Sequence, residues 1–148
     1  MPIDPSQSRL SALVNGWSCH HIGFAVRSIE EFANPFAQSI GVHWDGNITH
    51  DPLQSARVAF VRQDVPGSPA WELIEPAGDR SPLGRFVAQG GGLHHVCYEV
   101  GSLDEQLRAS RHLGGLVVKA PQRAVAFQGR RIAWVYTAQR LLLEFLER

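Results

Sequence analysis

The 148-residue sequence predicts an α+β fold built from two successive βαβββ modules. Two observations carry that expectation. His20-His21-Ile22-Gly23-Phe24-Ala25-Val26 is echoed 74 residues later by His94-His95-Val96-Cys97-Tyr98-Glu99-Val100, and Ser28-Ile29-Glu30-Glu31 is echoed by Ser102-Leu103-Asp104-Glu105. Trp71-Glu72-Leu73-Ile74-Glu75 is echoed 72 residues later by Leu143-Glu144-Phe145-Leu146-Glu147. Offsets close to half the chain length mark an internal duplication of one structural unit.

Each element follows from local signals. Residues 1–16 read as an N-terminal arm with a short helical turn over Ser8–Val14. Residues 18–26 alternate and are rich in strand formers. Ser28 with Glu31 three positions later is a capping box, so a helix follows. Pro35 interrupts or kinks it, and Gly41 ends it. Val42–Trp44, Ala56–Arg62 and Ala70–Glu75 are the next strands, separated by Gly, Pro, Asp and Asn. Ser81 and Pro82 then open a short helix over Leu83–Gln89, which Gly90-Gly91-Gly92 stops. The second module repeats the order. His94–Val100 is a strand, Ser102 and Glu105 cap a helix over Leu103–Leu113, and Leu116–Lys119, Arg131–Tyr136 and Leu141–Leu146 are strands. The expected organisation is one domain over 17–148, with module one at 17–76, a linker helix within 77–91 and module two at 92–148.

The bulk composition narrows the function. Hydrophobic residues make up 44% and charged residues 19%, the balance of a soluble globular chain rather than a disordered one. The 14 basic and 14 acidic residues cancel. That argues against nucleic acid or an anionic membrane surface as the main partner, because both need a positive excess. Arg130-Arg131 is too small a patch to reverse this and reads as a solvated turn. No apolar run approaches the ~20 residues of a membrane span, and Met1–Asn15 lacks the pattern of a secretory signal, so the expected location is cytoplasmic. Cys19 and Cys97 read as small buried hydrophobes rather than a disulfide.

Side chains alternate across a strand. Ile22, Phe24 and Val26 should therefore face the helix, leaving His21 on the other side with Gly23 and Ala25. Val96, Tyr98 and Val100 oppose His95, Cys97 and Glu99. Trp71 and Leu73 oppose Glu72, and Leu143 and Phe145 oppose Glu144. His21, Glu72, His95 and Glu144 thus share the face away from the helices, and carboxylates flanked by large apolar residues are rarely buried unpaired. One divalent cation would satisfy all four. Two histidines and two carboxylates suit Co²⁺, Mn²⁺, Ni²⁺, Fe²⁺ or Zn²⁺. On the same alternation His20 and His94 fall on the opposite face and read as partly buried or interface histidines rather than ligands. Glu75 and Glu147 read as solvated or strand-end charges. Glu99 is a reserve candidate base.

These residues resemble the vicinal oxygen chelate superfamily, which includes glyoxalase I, methylmalonyl-CoA epimerase, extradiol dioxygenases and bleomycin-resistance proteins. The resemblance runs from about Cys19 to the C-terminus. It is carried by His20–Val26, by Trp71-Glu72-Leu73-Ile74-Glu75-Pro76, by Gly92-Leu93-His94-His95-Val96 and by Leu143-Glu144-Phe145. It implies paired modules forming a curved mixed sheet around a metal-binding cleft, with His21, Glu72, His95 and Glu144 as metal ligands. The branch it looks most like is methylmalonyl-CoA epimerase, where the residue matching Glu144 also moves a proton. Two features depart from that branch. Val58 stands where some epimerases carry a second acid/base glutamate, and Thr137-Ala138-Gln139 replaces a His-Pro-Lys element.

The expected function is therefore a metal-dependent epimerase or isomerase. It would remove an α-proton from a small acyl substrate, possibly a CoA thioester, with Glu144 as the base. The alternatives are a glyoxalase I-type lyase, an extradiol-type dioxygenase and a non-catalytic binding or resistance protein. Exposed strand edges and the habit of the superfamily lead us to expect a homodimer.

Overall fold

The computed structural model describes residues 16–148, so the expected turn at Ser8–Val14 lies outside the described residues. The chain runs β1 (Ser18–Ala25), α1 (Ile29–Ser39), β2 (Thr49–Asp51), β3 (Ala56–Val61), β4 (Ala70–Pro76), α2 (Gly84–Ala88), β5 (Gly92–Val100), α3 (Leu103–His112), β6 (Leu116–Arg123), β7 (Arg131–Tyr136) and β8 (Leu142–Glu147). A 3-10 turn at Val125–Phe127 precedes β7.

The strands form one eight-stranded sheet in the order β2-β3-β4-β1-β5-β8-β7-β6. The two halves mirror each other. β1 lies parallel to β4, and β5 lies parallel to β8. An antiparallel seam between β1 and β5 joins the modules. Each half is thus a βαβββ unit, as the duplication predicts, and the two curl into a mixed half-barrel.

Both capping boxes form. Ser28 Oγ accepts from Glu31 N and Ser102 Oγ from Glu105 N, each at 3.3 Å. The helices cover the outer face of the sheet. Ile29, Ala33 and Ala37 pack with Val26, Ala59, Val61 and Leu73, and Leu103 and Leu107 pack with Val100, Ala133, Val135 and Phe145. α1 runs through Pro35 and ends before Gly41, whose φ of 74° suits only glycine without strain. Val42–Trp44 is not a strand. Val42 N bonds to Ala37 O at the end of α1, and Val42 and Trp44 pack against the first-module core, so no ladder partner is left for them. β2 starts later, at Thr49.

Glu75 and Glu147 are not solvated charges. Each carboxylate crosses to the first turn of the helix in its own module and accepts the orphan amide there. Ile29 N donates to Glu75 Oε2 at 2.8 Å and Leu103 N to Glu147 Oε2 at 2.9 Å. An arginine clamps each from the adjacent strand: Arg57 Nη1 lies 2.9 Å from Glu75 Oε1, and Arg131 grips Glu147 through two bonds of 2.9 Å. Arg130 pairs with Glu99 and donates to Glu147 O, so Arg130-Arg131 is an ion-pair corner rather than a free basic turn.

The Arg131 guanidinium and the Leu103 amide hold the Glu147 carboxyl below the usual range. A group with a lowered folded-state pKa stabilises above its unfolded value, and that contribution fades as pH falls through the folded value. Glu147→Gln should therefore cost about 1 kcal/mol at neutral pH. The deficit should shrink below pH 4.5. Urea unfolding at pH 7 and pH 3 checks this, and an equal deficit at both would remove the carboxylate from the account.

Candidate metal centre

The four strands bordering the seam each contribute one residue to its inner face. His21 comes from β1, Glu72 from β4, His95 from β5 and Glu144 from β8. All are buried, with none more than 3% exposed. One ligating atom from each lies within 4.8 Å of every other. The Nε2 atoms of His21 and His95 are 3.1 Å apart. Glu144 Oε2 sits 3.5 Å from the first and 3.3 Å from the second, and Glu72 oxygens sit 3.5 Å from each. The alternation argument thus placed the four on one face, and the parallel pairings of β1 with β4 and β5 with β8 bring them to one point.

His20 and His94 are partly buried, as expected, but do not lie on the opposite face. In the β1–β5 ladder Cys19 opposes Tyr98 and His21 opposes Cys97, so His20 is the extra residue of a bulge. Gly23 opposes His95 and Phe24 opposes Leu93, which makes His94 the extra residue of a second bulge. A bulge re-aims its side chain. Both imidazoles swing behind the neighbouring histidine instead of pointing outward. His20 Nδ1 lies 2.8 Å from His21 Nδ1, and His94 Nδ1 lies 2.9 Å from His95 Nδ1. One nitrogen of each pair donates and the other accepts. With both Nδ1 atoms engaged, only the Nε2 atoms of His21 and His95 remain to face the centre, the role usually played by an outer carboxylate or carbonyl.

Aromatic rings fix the two central imidazoles. Phe127 stacks on His21 at 5.5 Å and 15°, and Trp134 meets the His95 ring edge-on at 4.7 Å. The Phe127 turn is tied down by Asp51, a fully buried carboxylate at the end of β2 that accepts from Leu53, Gln54, Val125 and Ala126 amides. Sequence reasoning missed Asp51, Phe127 and Trp134. Alternation within Arg131–Tyr136 does separate Ile132 and Trp134 from Ala133 and Val135, but it does not say which pair faces the cleft.

The electrostatics call for a cation. Two carboxylates within 4.8 Å of each other repel by at least about 3 kcal/mol at an effective dielectric constant of about 20. Burial would lower the His95 pKa, yet the Glu144 and Glu72 carboxylates outweigh it and raise the value to about 9. Burial would likewise raise Glu144, but the two imidazoles lower it to about 2. His94 is held at about 4 by burial and by its neighbour His95, so it stays neutral. Glu144 Oε1 is buried without a hydrogen-bond partner. An orphaned carboxylate oxygen beside two inward-aimed imidazole nitrogens fits a divalent cation of the nitrogen- and oxygen-loving class.

An apolar cavity of about 330 Å³ opens on this cluster, with Glu72, His94 and Glu144 in its wall. Val58 also lines it, so no carboxylate stands at that position. Glu99 is engaged by Arg130. The second cysteine, Cys97, is fully buried under the cluster, and burial pushes its thiol well up.

Gly23 is the close approach the site depends on. A Cβ there would overlap the His95 ring. Gly23→Ala should cost about 1–3 kcal/mol through overpacking and displace His95 from the cluster. Thermal unfolding and a crystal structure of the variant check this, and an unmoved His95 ring would contradict it.

Comparisons with known proteins follow this geometry. The family model of the Glyoxalase/Bleomycin resistance protein/Dioxygenase superfamily matches residues 20–134. The uncharacterized protein YqjC of Bacillus subtilis is 33% identical over 118 residues, 78% of this chain and 79% of that protein. The ethylmalonyl-CoA/methylmalonyl-CoA epimerase of Cereibacter sphaeroides is 24% identical over 119 residues, 79% of this chain and 86% of that enzyme. A Streptomyces coelicolor methylmalonyl-CoA epimerase in complex with 2-nitronate-propionyl-CoA shares the fold, with a TM-score of 0.73, 23% identity, and coverage of 88% of this chain and 96% of that one. The chain belongs to the glyoxalase/bleomycin resistance/dioxygenase superfamily.

Proposed function

We propose that the protein is a metal-dependent epimerase or isomerase that removes an α-proton from a small acyl thioester. The observation that carries this reading is the unpartnered Oε1 of Glu144, on a residue that lines the cavity. His21, Glu72, His95 and Glu144 would hold one Co²⁺, Mn²⁺, Ni²⁺, Fe²⁺ or Zn²⁺. Bound there, the cation would act as a Lewis acid that polarises the acyl carbonyl and acidifies the adjacent C–H. Similarity to the ethylmalonyl-CoA/methylmalonyl-CoA epimerase supports the thioester assignment.

The chain's own residues divide the work. His20 and His94 orient the two central imidazoles. The apolar wall excludes water, which strengthens every charge interaction inside. Glu144 accepts the α-proton on Oε1, the oxygen that neither histidine engages. Its low pKa reflects an imidazolium partner. Metal uptake requires neutral histidines, so the proton on His95 would leave on loading. With Val58 apolar, no second carboxylate stands at that position to return the proton to the opposite face.

Glu144→Gln tests the assignment. The amide keeps a neutral oxygen toward the cluster but takes up no proton. The variant should still bind Mn²⁺, read by electron paramagnetic resonance. Deuterium exchange at the α-carbon of methylmalonyl-CoA or another acyl-CoA should slow by roughly 10²–10⁴-fold. Wild-type exchange in metal-loaded Glu144→Gln would move the base elsewhere. Turnover of hemithioacetals in place of acyl thioesters by the wild-type protein would transfer the site to lyase chemistry.

A further inference from the structure

The cavity has a second polar pole that the proton-transfer chemistry does not use. Lys119, the single lysine of the sequence, projects into it from β6. In the sheet Lys119 opposes Trp134, and Trp134 opposes Glu144, so the three share one row and one face. Lys119 therefore stands two strands from Glu144, about 10 Å between Cα atoms. Register shifts flank it on both sides, between Val117 and Lys119 and between Lys119 and Gln122. Shifts of this kind re-aim a strand residue.

Its surroundings are short of acceptors. Lys119 Nζ donates to Gln54 Oε1 at 3.1 Å, and no carboxylate of the described residues comes within ion-pair distance of it. Asp51 acts on it at longer range, but the Asp51 carboxylate is taken up by four backbone amides. An ammonium only donates, which fixes the Gln54 amide with its oxygen toward Lys119. The amide nitrogen is left over, and Gln54 Nε2 is buried without a partner. The two residues share the wall with apolar Val58, Ile74 and Leu83 and with Asp51, whose carboxylate is already engaged by amides, and Gln54 Nε2 has no acceptor. A buried unpaired donor costs about 1–3 kcal/mol, and an oxyanion that reaches the amide would remove that cost.

We propose that Lys119 and Gln54 form a binding subsite for a carboxylate of the ligand, separate from the metal-ligating cluster. The ligand then carries two oxygen functions, a carbonyl group at the Glu144 end of the cavity and a carboxylate at the Lys119 end. This deepens the acyl-thioester reading and rests on it for the identity of the first function, while the carboxylate subsite stands on Lys119 and Gln54 alone. A carboxylate is favoured over a phosphate because the donors lie within an apolar cavity of about 330 Å³, where a larger dianion is harder to desolvate.

Calorimetric titration of succinate, butyramide and inorganic phosphate tests it, on metal-free protein and on protein loaded with Mn²⁺. Lys119→Met should weaken succinate binding by roughly 10–100-fold in both forms, the range of a charge-assisted hydrogen bond. It should leave Mn²⁺ affinity and butyramide binding as in the wild type. Gln54→Leu should weaken succinate less, and Lys119→Arg should restore much of the affinity, which separates the ammonium's role from packing. Unchanged succinate binding in Lys119→Met would overturn the proposal, as would equal losses of succinate and the carboxylate-free butyramide. Displacement of succinate by equimolar phosphate would overturn the carboxylate assignment. Failure of the wild type to bind Mn²⁺ while succinate binding still depends on Lys119 would sink the metal reading and leave this subsite standing.

Discussion

Two carboxylates and two imidazoles buried at one point govern the rest of the structure. Ionised groups taken out of water cost several kcal/mol each unless an opposite charge meets them. Here Glu72 and Glu144 meet only His21 and His95, and no lysine or arginine is ion-paired to them among the described residues. In the metal-free protein the balance is kept by a proton on His95 and by an ionised Glu144. A divalent cation would satisfy the arrangement more fully than shared protons, because one Glu144 oxygen has no proton donor to meet.

The duplication is what makes such a centre affordable to the fold. Each module places one histidine on its first strand and one glutamate on its last, and these strands are parallel neighbours. Joining two modules through an antiparallel β1–β5 seam brings the four residues together by pseudo-two-fold symmetry. The same symmetry repeats the supports. Glu75 with Arg57 and Glu147 with Arg131 anchor α1 and α3 to the sheet, and each bulge sets a histidine behind a central imidazole. Symmetry ends at the cavity wall. Lys119, Gln54, Phe127 and Trp134 line one side, which is how a symmetric cluster acquires an asymmetric binding space.

The strands, the helices and the shared face of His21, Glu72, His95 and Glu144 were legible in the sequence because they depend on local signals: alternation, capping boxes and glycine stops. What escaped depends on which strand lies next to which. His20 and His94 were assigned outward by strict alternation, and bulges visible only in the β1–β5 register turned them inward. Glu75 and Glu147 looked like strand-end charges, since nothing local shows that a helix N-terminus will sit above them. Val42–Trp44 had the alternation of a strand but no ladder to join. Lys119 and Gln54 are 65 residues apart and meet only because β6 and the β2–β3 connection close over the same cavity.

The central claim is that these four residues hold one divalent cation, and a crystal of the Mn²⁺-loaded protein measured at an anomalous wavelength tests it most directly. The account predicts a single strong anomalous peak per chain, about 2.0–2.3 Å from the Nε2 atoms of His21 and His95 and from one oxygen each of Glu72 and Glu144. A peak at another site, or no peak with the four side chains in place and Mn²⁺ in excess, would contradict it.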